Sequence, residues 1–114
     1  MQTKPVVELD TEDQKLITLA RAARARIGAA QGAAVRDTDG RTYAAATVDM
    51  PSLHLSALQV ALAMAATAGA GDIEAAAVFG DDTHDPVGLA TLRFLSQTAP
   101  VYQAGTDGLI VTLR

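Results

Sequence analysis

The chain contains no cysteine and no tryptophan, and only 4% of its residues are aromatic. Without cysteine there is no disulfide, no thiolate nucleophile and no sulfur ligand for a metal. The scarcity of rings forces a thin core of small side chains, which let helices and sheet approach closely but bury little apolar area per contact. Association would add the burial a monomer lacks, so a homo-oligomer, dimer or tetramer, is expected. Long apolar runs are also missing. Asp49, His54, Gln59 and Asp72 interrupt the most hydrophobic region, so no membrane span is expected. Positive charge is in the minority, with 9 Lys and Arg against 13 Asp and Glu and a net charge of -4, which argues against a nucleic-acid or anionic-membrane partner. The first residues, MQTKPVVELDTEDQ, are acidic and lack an apolar core segment. No secretory signal is expected there, and the cytoplasm is the default location.

What is present, 114 residues at 49% hydrophobic and 19% charged, suits one soluble globular domain. Residues 1–9 read as a flexible tail that Pro5 keeps out of regular structure, and residues 10–114 as the single domain. Asp10 or Thr11 caps a helix, with Glu12 and Asp13 in its first turn and Leu16, Leu19, Ala20, Ala23 and Ile27 on its apolar face. Arg21, Arg24 and Arg26 suit its C-terminal dipole, and Gly28 ends it. Residues 31–36 and 41–48 read as a hairpin around the Asp-Thr-Asp-Gly turn. A second helix is expected from Pro51 or Ser52 to about Ala68, apolar nearly all round: Leu53, Ala57, Val60, Ala61 and Met64 on one face, and Leu55, Leu58 and Leu62 on another. Gly69, Gly71 and Asp72 end it. The unbroken apolar run over residues 73–79 predicts a strand covered on both faces in a parallel-type arrangement. Asp85 and Pro86 open a third helix with Leu89, Leu92, Phe94 and Leu95, and two short strands around Gly105–Gly108 close the chain. The order is α-β-β-α-β-α-β-β.

With these residues, that order resembles the cytidine deaminase family. Gly32–Ala33–Ala34–Val35 and Asp39–Gly40 stand where the family has V-G-A-A-L and its D-G turn. Thr47–Val48–Asp49–Met50–Pro51–Ser52 replaces N-V-E-N-A-S, Leu58–Gln59–Val60–Ala61 replaces C-A-E-R, and Pro86–Val87–Gly88–Leu89–Ala90 falls on P-C-x-x-C. The resemblance implies an α/β fold, a three-layer α/β/α sandwich with a mixed five-stranded sheet. It also implies oligomers, with the second helix near subunit contacts. In the family three ligands, thiolates or a His and two thiolates, hold zinc. The metal activates a water against C4 of cytosine while a glutamate moves protons. Carried over, the ligand positions are Leu58, Val87 and Ala90 and the glutamate position is Val60, none of which donates a lone pair or carries a proton. No metal, no cofactor and no hydrolytic deamination are expected, with Leu58, Val60 and Val87 filling the lost site as extra core. The ribose-contacting positions fall on Thr47 and Asp49, and residues 27–31 lack the aromatic that stacks on a base.

Other groupings carry weaker chemistry. Asp81, Asp82, His84 and Asp85 cluster after the central strand, where carboxylates and an imidazole could hold a cation. A helix cap at Asp85 and solvated neighbours explain the same residues more simply. His54 stands beside Ser52, Ser56 and Asp49, a spacing that favours a capping or interface histidine over a Ser-His-Asp arrangement. Three readings follow. One is a non-catalytic oligomeric module, structural or regulatory. The second is a binder of a nucleoside, nucleotide or other small molecule through Thr47 and Asp49. The third is an enzyme with a rebuilt, zinc-free site made from Asp49, His54, Asp81, Asp82 and His84.

Overall fold

The computed structural model describes residues 3–5 and 9–113. Its elements in chain order are β1 (Thr3–Pro5), α1 (Thr11–Ile27), β2 (Gln31–Asp37), β3 (Thr42–Ala46), β4 (Val48–Met50) and β5 (Leu53–Leu55). Then come α2 (Ala57–Thr67), β6 (Ile73–Gly80), α3 (Pro86–Leu95), β7 (Val101–Ala104) and β8 (Ile110–Leu113). The main sheet runs β1-β8-β7-β6-β2-β3, and β4 and β5 form a separate hairpin.

The apolar run at 73–79 becomes β6, and alternation assigns its residues to two layers. Ala76 and Val78, with Ala33 and Val35 of β2, pack against Leu58, Leu62 and Leu92 from α2 and α3. Ala75, Ala77 and Phe79, with Ala34, pack against Leu16, Ile17 and Ala20 of α1 on the opposite face. This is the expected α/β/α sandwich. Only one neighbour of β6 is parallel, β7, whereas β2 pairs antiparallel. The five expected strands are present, and β1 adds a sixth. It pairs antiparallel with β8, Thr3 opposite Leu113, inside the stretch expected to be a tail. Pro5 is tolerated because β1 lies at the sheet edge, where a missing N–H costs no second ladder. The rest of that tail up to Glu8 lies outside the described residues.

Alpha helix α1 starts at Asp10, whose side chain accepts from Asp13 N at 2.8 Å, and ends at Gly28 with φ 62°. Its backbone lies hard against β2: a Cβ on Gly32 would sit 1.8 Å from the Ala20 carbonyl oxygen. Arg36 reaches across this junction to Asp13 at 2.9 Å and Glu74 at 2.7 Å. Burial acts to lower its pKa, but the hydrogen bonds to Glu74 and Asp13 prevail and raise it.

The second helix departs from its sequence reading. It begins at Ala57, not at Pro51 or Ser52, because Ser56 and Gln59 form a reciprocal capping box, a stronger start signal. Leu53, His54 and Leu55, expected as helix, instead form β5 opposite β4, with Val48 in β4 and no longer in β3. The helix is also one-sided. Ala57, Leu58, Ala61, Leu62 and Ala65 are buried, while Ala63, Met64 and Ala66 are exposed.

Candidate functional site

The first turns of α2 and α3 meet beyond the C-terminal end of β6. Ser56 caps α2, its Oγ accepting from Gln59 N at 3.1 Å while Ser56 N donates to Gln59 Oε1 at 3.1 Å. Asp85 caps α3, its Oδ1 accepting from Gly88 N at 2.9 Å. Pro86 occupies the first helical position, where its fixed φ and missing N–H cost nothing. These two ends, the β4–β5 hairpin, the loop after β6 and the α1–β2 turn enclose a cleft of about 780 Å³.

All six residues singled out as binding candidates, Thr47, Asp49, His54, Asp81, Asp82 and His84, line this cleft. Their situations differ. Thr47 is spent on structure: its hydroxyl accepts from Gln31 N at 3.0 Å and donates to Gln31 O at 3.2 Å. His54 is not a helix cap. It faces Asp49 across the hairpin, with Nδ1 2.8 Å from Asp49 Oδ1. Asp81 accepts from Arg24 Nη2 at 3.4 Å and from the Thr106 hydroxyl. Asp82 Oδ1 accepts from His84 N at 2.9 Å, and its carbonyl takes Gln31 Nε2 at 2.8 Å, pinning the loop to β2.

Of Leu58, Val60 and Val87, expected as extra core in the lost site, the first two join the core and Val87 does not. Leu58 is fully buried in the core and Val60 packs against it. Val87 lines the cleft at 59% exposure, so it does not fill the site, and Ala90 is exposed. At the start of α2, the N-cap Ser56 and Gln59 border the cleft. With Arg24 and Gln31, these are the polar lining residues that spacing did not assign to the cleft. For Ser56 and Gln59 the available signal was the S-x-x-Q capping pattern.

Among the described residues, the carboxyl with a displaced pKa lies at the other end of β2. Asp37 is 1% exposed. Burial alone would raise it, yet the Arg41 N–H, the Tyr43 hydroxyl and the Asp39 N–H outweigh burial and hold it below the ordinary range. The Tyr43 phenol is pushed up, first by burial and then by its bond to Asp37.

A model of the family described as cytidine deaminase-like matches residues 9–108. The chain belongs to that family. The cytidine deaminase-like chain superposes on the crystal structure of cytidine deaminase from Burkholderia pseudomallei with a TM-score of 0.79 at 25% identity, covering 88% of this chain and 90% of that one. On the cytidine deaminase of Mycobacterium leprae the TM-score is 0.65 at 23% identity, over 88% and 92% of the two chains. No curated protein sequence matches it significantly. Among the described residues, no helix is long and apolar enough to cross a membrane.

Proposed function

We propose that this cytidine deaminase-like protein does not deaminate through zinc and works as a homo-oligomeric module whose cleft binds a small molecule. Donor chemistry supports the first part. A catalytic zinc needs three lone-pair donors, an open position and a proton shuttle. Leu58, Val87 and Ala90 supply no donor, and Val60 moves no proton. Among the described residues no three His, Asp or Glu side chains are grouped to hold a metal ion. The residues present do not fit the metal.

The observation that carries the binding reading is the open cleft itself. Its volume of about 780 Å³ falls within the roughly 300–1,000 Å³ range of small-ligand pockets. Oligomerisation is supported by the outer surface of α2 and α3. No Asp, Glu, Lys or Arg occurs between Asp49 and Asp72, and α3 carries only Arg93, whose Nη1 donates to the Ser96 and Ala99 carbonyls. Met64 and Phe94 are exposed there at 41% and 90%. A face without charge meets its own copy without repulsion.

The test has three arms on the purified chain: zinc content after dialysis, turnover of cytidine, and thermal shift with nucleosides, nucleotides and simple amines at millimolar concentration. No stoichiometric zinc, no turnover and a raised melting midpoint with one ligand class are expected, since a native-state ligand stabilises by mass action. Retained zinc together with cytidine turnover would overturn the non-catalytic reading. The absence of any shift would overturn the binding reading.

A further inference from the structure

Asp85 belongs to the lining of the cleft, and one of its carboxylate oxygens is buried without a partner in the chain. Asp85 is 8% exposed. Its Oδ1 takes the Gly88 N–H, and its Oδ2 has no hydrogen-bond partner. A Cβ on Gly88 would lie 2.0 Å from Oδ2 and 3.0 Å from Ser56 Oγ. Oδ2 therefore sits in the angle between the first turns of α2 and α3, where Ser56, Asp85 and Val87 form the cleft wall. An acceptor in that position is costly when left without a donor, more so when it carries charge.

The surrounding charge has the same sign. Asp49, Asp81 and Asp82 join Asp85 in the lining, against Arg24 as the permanent cation. Arg24 is already committed, through Nε to the Ala30 carbonyl at 3.2 Å and through Nη2 to Asp81. Each helix N-terminus contributes only about half a positive charge, and both ends are capped from within the chain. The balance is negative, which disfavours phosphate and carboxylate ligands. Val48, Leu55 and Val87 supply apolar wall for a hydrocarbon body.

We propose that the cleft takes a small organic cation bearing N–H donors on an apolar body, with Asp85 Oδ2 as its charge partner. This rests on the cleft being a binding site, and it narrows the ligand class. The test titrates the full chain with benzamidine, neutral benzamide and anionic benzoate, which share shape and differ in charge. Binding is read from amide NMR shifts and from the melting midpoint, with uridine as an uncharged nucleoside control. Benzamidine should bind at least tenfold more tightly than benzamide, benzoate should not bind, and the largest shifts should fall on Ser56, Gln59 and Gly88. Asp85→Asn keeps an N-cap acceptor for Gly88 N and should lose benzamidine binding at least tenfold while its unliganded melting midpoint moves by only a few degrees. Equal binding of benzamidine and benzamide, shifts centred elsewhere, or undiminished binding by a folded D85N overturns the proposal. If D85N does not fold, the wild-type charge series and shift map decide. Uridine binding without benzamidine binding removes the cation inference and leaves the cleft reading standing; binding by neither probe nor by the wider ligand screen removes both.

Discussion

Asp37 lies beneath the β2–β3 turn with both oxygens occupied: Oδ1 accepts from Asp39 N and Arg41 N, each at 2.9 Å, and Oδ2 from the Tyr43 hydroxyl at 2.9 Å and Arg41 Nε at 3.1 Å. Its folded-state pKa is depressed. Its contribution is therefore full above the unfolded value of about 3.9 and is lost as pH falls through the lower folded value. Asp37→Asn should destabilise the protein clearly at pH 7, and the gap from wild type should shrink as pH drops below about 4. Urea melts at pH 7 and pH 3 check this; a gap that stays constant or widens in acid contradicts it. From the sequence Asp37 reads only as a turn residue, because its reach to Tyr43 exists once the hairpin register places Val35 opposite Tyr43. The cleft residues were easier to pick out. Asp81, Asp82 and His84 follow a buried strand directly, and polar groups at that end of an open sheet face a crevice.

At the scale of elements, α2 was legible as a helix but not in its start or its orientation. An all-apolar stretch has no polar side to mark the exposed face, so periodicity cannot say whether Met64 or Leu62 points inward. The structure places Leu62 inside at 1% exposure and Met64 outside. The β4–β5 hairpin was hidden for a related reason: Leu53, His54 and Leu55 fit helix and strand patterns equally well in a window that short. The contact between α1 and β2 makes a sharper demand. Gly32→Ala would drive a methyl into the Ala20 carbonyl at 1.8 Å, a backbone atom that cannot rotate away. A loss of about 3 kcal/mol or more is expected, at or beyond the upper end of ordinary overpacking costs. Gly71→Ala meets nothing within 4 Å and should stay within about 0.5 kcal/mol of wild type. Parallel urea denaturation of the two variants tests the pair, and similar stabilities would refute the close approach.

Across the whole molecule, charge is divided between the two helical layers. Alpha helix α1 carries Glu12, Asp13, Lys15, Arg21, Arg24 and Arg26, while the α2–α3 layer presents alanine, Met64 and Phe94. If that layer pairs with a second copy, Phe94→Lys should convert the oligomer to monomer in light scattering behind size exclusion. Its melting midpoint at matched low concentration should change little, because a side chain at 90% exposure supports no monomer core. An unchanged mass would contradict this interface. The layered architecture was legible because strand–helix order and the two-sided apolar run at 73–79 require it, whereas β1 was obscured by Pro5. The sheet's alanines have a further consequence. Sliding β2 by one residue against β6 would exchange Ala33 with Ala34, or Ala76 with Ala77, between the two layers at almost no cost in volume. What opposes the slip is a sparse set of unlike residues: Gly32 under α1, Val35 and Val78 under α2, and Phe79 beneath Arg21 and Arg24. Faithful strand alignment during refolding therefore depends on a handful of positions, and misaligned, aggregating species should increase first in variants that make those positions alanine.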